Sequence, residues 1–565
     1  MLKNARALSA LATRLLFGAA LPLIVVASST VLVGCEDESQ PETWVKRLDD
    51  PAKRAGAIKR LNQFYEDGMT KANNNREAPE MKALMGKIVK PMSDAYVKGD
   101  LDEKTRKDLL KSLSGTRDVN AKGAIIKALS DFAAGKATAQ EATEAAHFVK
   151  TLKVQEAAGP LLEAFLRVNP SKKDLGPPYI AVQEAMLAIP DQAWKGKLID
   201  EVNKPVDPKN IDELRNAIYH QTVAALILGE LKAAEATKVL FKAMVTPDKK
   251  DIAATALMAL VKIGKPSVIM LLDVMSGKDA EIAEYVKKVN PKGYIASAAA
   301  TMGLLGRTEA LTPMIAAVNA ATEEGDKAHL ARELAKLPAS PESIKTVQGV
   351  FEKTSNGATL GDGQNARIAL AEQVADWMDS SIVPWLLKQV DAVAKGAKEK
   401  EEADLIQGAL LQSAMKLMRK EQVDEVKKVV DREGSDLEKA AFKLASDVLT
   451  ACGDNLGCYL GKLEDEKVQE KNQQFTGIKS AFMLGMLGKD DTKGEIAKRW
   501  HKIRNASIKF VSAKAIDKLS PQGDAKIADE LQKIVDADAA RGDAVAVQGN
   551  SPLKQFIPRL RARAQ

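Results

Sequence analysis

The stretch from Arg215 to Val245, RNAIYHQTVAALILGELKAAEATKVLFKAMV, decides the fold. Ala224, Ile227, Leu228 and Leu231 fall at i, i+3, i+4 and i+7, the spacing of one apolar stripe on a helix. After a short break, Ala236, Val239, Leu240, Ala243 and Met244 repeat that stripe. The spacing predicts two amphipathic helices joined by a tight turn. Neither helix can bury its apolar face alone, so the hairpin requires neighbours.

The neighbours are written in the same sequence. Helix-ending turns recur near Lys153, Pro190, Lys232, Gly264, Gly306, Pro338, Met378, Arg419, Gly453, Gly488 and Ser520, at spacings of 32 to 42 residues. Proline opens the second helix in GPLLEAF (Pro160), TPMIAAV (Pro313) and VPWLLKQV (Pro384), where its missing N–H costs least. Aromatic residues are only 4% of the 565, so the core must be packed with Ala, Leu, Val, Ile and Met, which suits closely packed helices. A chain of this length exceeds what one hydrophobic core organises, and a repeat array resolves that.

This pattern resembles the HEAT repeat family, including its phycobilisome-lyase-like branch. The resemblance is strongest over Arg215 to Ala320 and continues from Trp44 to Ala539. Tetratricopeptide repeats keep a stricter period and fixed aromatic positions, which this chain lacks. The resemblance implies an all-α fold, an α-solenoid of about eleven to thirteen HEAT-like helical hairpins over 44–539. The segment 355–364, SNGATLGDGQ, reads as an exposed loop rather than a phosphate loop, because no Gly-Lys-Ser/Thr follows its glycines. Residues 540–565 lose the period and read as a mobile basic tail, with Lys554, Arg559, Arg561 and Arg563 as a solvated cluster.

The N-terminus carries a different signal. Lys3, Arg6 and Arg14 precede an uncharged stretch from Leu15 to Val33, the form of a secretory signal over residues 1–34. It ends in Leu32-Val33-Gly34-Cys35, which resembles the bacterial lipobox. That resemblance implies that Cys35 is acylated and becomes the new N-terminus, followed by a polar tether over 35–43. Several acyl chains on one cysteine hold far more firmly than one. Glu36, rather than Asp, after the cysteine points to the periplasmic face of the outer membrane, with the inner membrane and the cell surface as alternatives.

The sequence offers little chemistry. The net charge of +7 falls to about +4 once the leader's three cations are set aside, and no basic stripe marks a nucleic-acid surface. His147, His220, His329 and His501 lie far apart, and none has ligand spacing such as HExxH, so no metal and no cofactor are expected. No His-Glu dipeptide of the iron-binding HEAT enzymes occurs, and no GxSxG supplies a nucleophile, so no catalytic residue is assigned. His220 either faces solvent or caps a neighbouring helix. The five tryptophans, Trp44, Trp194, Trp377, Trp385 and Trp500, are scattered and read as core packing. Arg541-Gly542-Asp543 matches an integrin-read tripeptide by composition alone.

Cys452 and Cys458 are expected to form a disulfide in an exported protein. On one unbroken helix their α-carbons would stand roughly 9 Å apart along the axis, so the pairing requires a break between Gly453 and Gly457. The leading expectation for function is a membrane-anchored interaction scaffold that holds another protein or envelope complex, with no turnover of its own, centred on Arg215 to Ala320. An enzyme subunit akin to the chromophore lyases, or a structural envelope spacer, are the alternatives. Replacing Cys35 by Ala is expected to leave an unprocessed precursor or a soluble periplasmic species. Fractionation showing normal processing and membrane retention would refute the lipobox.

Overall fold

The hairpin turns share one backbone solution. In the computed structural model, which describes residues 37–565 except Lys292 and residues 397–399, the helix Ala139–Leu152 ends on Lys153 at φ 52°. Val154 is extended, and a 3-10 turn at Gln155–Ala157 opens the helix Ala158–Arg167. The same order of left-handed, extended and 3-10 residues recurs after Arg117, Lys232, Gly306 and Met378. Four of these five positions carry a side chain, for which the left-handed conformation costs roughly 1–2 kcal/mol. Burial of the residue that closes each turn (Ala121, Ala157, Ala236, Ala310 and Ile382) offsets that cost. The turns read from the sequence at Lys153, Lys232, Gly306 and Met378 therefore mark the left-handed residues themselves.

The fold is all-α and solenoid-like. Among the described residues there is no strand, and one isolated β-bridge, Thr359 to Asn365, ties the loop 355–364. That loop is only partly exposed, since Leu360 is buried. The described residues divide into two compact units, 37–91 and 92–565.

In the smaller unit the helix Pro51–Lys71 is capped by Asp50 and buries Ala57, Ile58 and Leu61. Gly68 lets Met81 approach closely: a Cβ there would lie 2.7 Å from its sulfur. The polar tether expected over 35–43 is corrected in its described part. Thr43 Oγ1 donates to the Asp37 carbonyl at 2.8 Å, Trp44 Nε1 to that of Glu38 at 2.9 Å, and a helix already runs over Pro41–Arg47. Proline at the first helical position and the Arg47–Glu38 pair at 2.9 Å fold this stretch, which polar composition alone read as a linker. Cys35 and the lipobox lie outside the described residues.

In the larger unit the first helices of successive hairpins pack on one another in a row. The row runs through Glu103–Thr116, Ala139–Leu152, Tyr179–Ala188, Ile211–Glu230, Lys250–Ile263 and Tyr294–Leu305. It continues through Glu324–Leu334, Ala366–Val374, Lys400–Leu417, Asp436–Cys452, Gln474–Leu487 and Ala506–Lys518. The second helices form a parallel outer row, as where Lys122–Ala133 packs on Ala158–Arg167. The first row curves tightly enough for Lys400–Leu417 to touch Gln474–Leu487, two hairpins further on. There Gly485 makes room for Met378, whose sulfur would stand 2.0 Å from an added Cβ.

The expected mobile tail over 540–565 is also corrected. Residues Ser551–Arg563 form a helix that buries Leu553, Phe556, Ile557 and Leu560. It packs on Ala506–Lys518 and Ala525–Arg541, and equally on Lys250–Ile263 and Tyr294–Leu305. The first row thus returns onto itself. The basic cluster is split rather than solvated, with Arg559 and Arg563 buried. Arg559 donates to the carbonyls of Gly303 at 2.6 Å and Lys336 at 2.7 Å and pairs with Asp517 at 3.0 Å. A Cβ on Gly306 would come within 2.6 Å of that guanidinium.

Helix ends elsewhere in the array are closed by the same device. His220 Nε2 lies 2.9 Å from the Val168 carbonyl, Gln221 donates to Lys204 at 2.9 Å, and Lys249 donates to Val202 at 2.6 Å. Arg367 donates to Phe351 at 3.1 Å, and the fully buried Lys479 donates to the carbonyls of Lys416 and Met418. Burial pulls Lys249 down to about 8 and holds Lys479 well below the ordinary lysine value.

Replacing Arg559 by Ala would leave Asp517 and the carbonyls it serves short of a buried partner, a loss of about 3 kcal/mol for docking the last helix. Hydrogen exchange of the amides over Ser551–Arg563 is expected to quicken by roughly 100-fold. Unchanged protection there would show that the closure does not depend on this side chain.

Candidate functional site

The residues singled out from the sequence occupy separate places. Cys452 ends the helix Asp436–Cys452, Gly453 turns left-handed at φ 54°, and Asn455 caps the helix Leu456–Glu464 by accepting from the Cys458 amide. The break thus falls within the expected Gly453–Gly457 interval, and it brings the two cysteines to disulfide distance, 5.4 Å between α-carbons. The four histidines are not brought together. His220 is the buried one, set against the rings of Phe165 and Tyr219, and burial keeps its pKa below the ordinary value despite Glu201 nearby. Its neutral imidazole caps the end of Ala158–Arg167, two hairpins earlier, one of the two roles expected for it. Among the described residues, no three His, Cys, Asp or Glu side chains group as metal ligands.

Trp194, Trp377 and Trp500 are buried, whereas Trp44 and Trp385 are half-buried. The Arg541-Gly542-Asp543 tripeptide is spent on a helix junction. Arg541 pairs with Asp538, Gly542 is left-handed at φ 68°, and Asp543 caps the next helix through the amides of Val545 and Ala546.

One concave feature of the larger unit lies where the last helix crosses the ends of the first-row helices. A pocket of about 530 Å³ opens there, with Trp377, Phe510 and Phe556 in its walls. Phe510 and Phe556 meet edge to face at 6.4 Å, and Trp377 is fixed by its indole N–H on the Leu337 carbonyl at 3.0 Å. Six cations line the pocket: Arg332, Lys336, Lys514, Lys518, Arg559 and Arg563. Only two carboxylates do, Asp376 and Asp517.

The charges are not equally engaged. Lys514 holds both oxygens of Asp376 at 2.6 Å, and Lys336 is paired with Glu333 at 2.6 Å. Arg559 and Arg563 share the single carboxylate of Asp517. Burial, offset by Asp517 and reinforced by Arg559, lowers the pKa of Arg563, and its buried Nε–H has no hydrogen-bond partner. Arg332 reaches Asp362 only at 3.5 Å. Lys518 is solvent-accessible and forms neither an ion pair nor a hydrogen bond. Crowding by protein lowers its pKa, with Asp379 the one nearby charge opposing the shift.

A second pocket of about 460 Å³ adjoins the first and shares Asp376, Phe510 and Lys514 with it. Its walls include Ile478, Phe482 and Val511, together with Lys416, whose pKa burial lowers against the pull of Asp376 and Glu372. Sequence reading missed this site because its parts come from segments up to 259 residues apart (Leu304 to Arg563). A signal was present in the spacing of Leu553, Phe556, Ile557 and Leu560, an apolar helical stripe.

Comparison of the sequence with protein-family models and with curated proteins finds no match. Non-reducing mass spectrometry of the native protein is expected to find Cys452 and Cys458 bridged. A Cys452→Ser variant should lose roughly 2 kcal/mol of local stability, given the small loop the bridge closes. Two free thiols in the native protein would refute the pairing.

Proposed function

We propose that this protein is a lipid-anchored envelope scaffold, held to the membrane through Cys35, that binds another protein along its helical array. The reading is supported by the placement of large exposed apolar side chains near the starts of first-row helices. Tyr179 and Ile180 open Tyr179–Ala188, and Ile211 opens Ile211–Glu230. Leu437 stands second in Asp436–Cys452, and Leu405 lies in the second turn of Lys400–Leu417. Ile211, Leu405 and Leu437 are each more than 60% exposed. The five side chains fall on two pairs of neighbouring hairpins, and solenoids build extended binding surfaces from positions on several repeats. The exposed positions flank the block Arg215 to Ala320, with Ile269 inside it. Among the described residues no single helix is long and apolar enough to cross a membrane. The proposed attachment therefore rests on the lipobox.

Crosslinking in membranes followed by affinity capture tests the scaffold. A variant carrying Ile180→Asp, Ile211→Asp, Leu405→Glu and Leu437→Glu should lose at least three-quarters of the captured partner while its far-ultraviolet dichroism stays unchanged. Equal capture by this variant would refute binding through these helix starts. Multiple turnovers of a substrate, abolished by one or two substitutions, would replace the scaffold with an enzyme.

A further inference from the structure

The two adjoining pockets around Phe510 present complementary chemistry. On one side stand accessible or under-paired cations, Lys518, Arg332 and the buried Arg563 with its unpartnered Nε–H. On the other stand Ile478, Phe482 and Val511, with Glu372 and Lys416 also in that wall. Phe510 lines both pockets and keeps 38% of its surface exposed, so its ring is a wall available to a ligand rather than a core residue. Asp376, the carboxylate common to both, is already held by Lys514 through both oxygens, so it does not cancel the excess of cations. Volumes of about 530 and 460 Å³ lie within the range of small-molecule sites. An anion alone would leave the apolar side empty, and a neutral apolar molecule would leave the cations unmatched.

We propose that this groove binds an amphiphilic anion: a carboxylate or phosphate head at Lys518, Arg332 and Arg563, and an unbranched apolar chain along Phe510 toward Phe482. The head oxygens accept from the Lys518 ammonium and from the Arg332 guanidinium, with the buried Arg563 adding its charge behind them. The chain replaces water against the aromatic ring. This site lies apart from the helix starts assigned to the protein partner and does not rest on that reading.

The test uses the full chain in isolated membranes, incubated with a photoactivatable palmitate analogue that carries a diazirine and an alkyne. After irradiation, the labelled peptides are mapped by mass spectrometry. Label is expected to concentrate in 474–518 and 551–563, to be competed by excess palmitate, and to resist methyl palmitate and inorganic phosphate. Lys518→Glu should cut this labelling at least fivefold, and Lys518→Arg should retain it. Both variants should keep wild-type thermal melting, because Lys518 is exposed. Label spread over the surface, equal competition by methyl palmitate, or full labelling of Lys518→Glu would overturn the proposal. Competition by inorganic phosphate alone would overturn it in favour of a free-anion site.

Discussion

One guanidinium joins three helices of this array. The end of an α-helix leaves four carbonyls without an internal partner, and an array of hairpins contains many such ends. Arg559 serves two of them at once, donating to Gly303 near the end of Tyr294–Leu305 and to Lys336 just past Glu324–Leu334. It also faces Asp517 on Ala506–Lys518. A positive charge is favoured at helix C-termini, where the macrodipole is negative. The buried arginine is therefore paired twice over, with a carboxylate and with backbone dipoles. That pairing makes burial of its charge affordable.

The rest of the larger unit repeats this solution on a smaller scale. His220, Gln221, Lys249, Arg367 and Lys479 each reach from one hairpin to a carbonyl at the end of another helix. Apolar contact between helices is non-directional, and a stack held by it alone could slide. A hydrogen bond from a fixed side chain to one carbonyl has a single register. The cost is visible in Lys249 and Lys479, whose charged forms burial disfavours. The same convergence of helix ends shapes the cationic pocket, since Arg559 and Arg563 hold its back wall.

How much of this was legible follows from how local each feature is. Helix periodicity and the left-handed turns depend on residues a few positions apart, so the hairpins and their breaks at Lys153, Lys232, Gly306 and Met378 could be read directly. The break between Cys452 and Cys458 was equally local, since Gly453 and Asn455 supply it. The last helix was misread because Pro558 and the alternating arginines of RLRAR mask the stripe of Leu553, Phe556 and Leu560. Proline is tolerated there within a tertiary setting that no short window contains. The stretch Asp37–Thr43 was misread for a related reason: its order comes from side chains bonding backbone six residues away. The pocket was not legible at all, because its charge balance exists only once distant helices meet.

The Arg559 contact also bears on the order in which the chain can assemble. Hairpin stacking joins residues some 30 to 40 positions apart, while Arg559 and Gly303 are separated by 256 and Arg307 and Ala562 by 255. Loop-closure entropy makes such a contact slow to form until the intervening hairpins have shortened the effective loop. Stacking therefore precedes docking of the last helix. Before docking, the array behaves as a one-dimensional stack whose two ends fray independently. After docking, the last helix joins the two ends of the stack from Lys250 onward, so fraying at either end must first break its contacts.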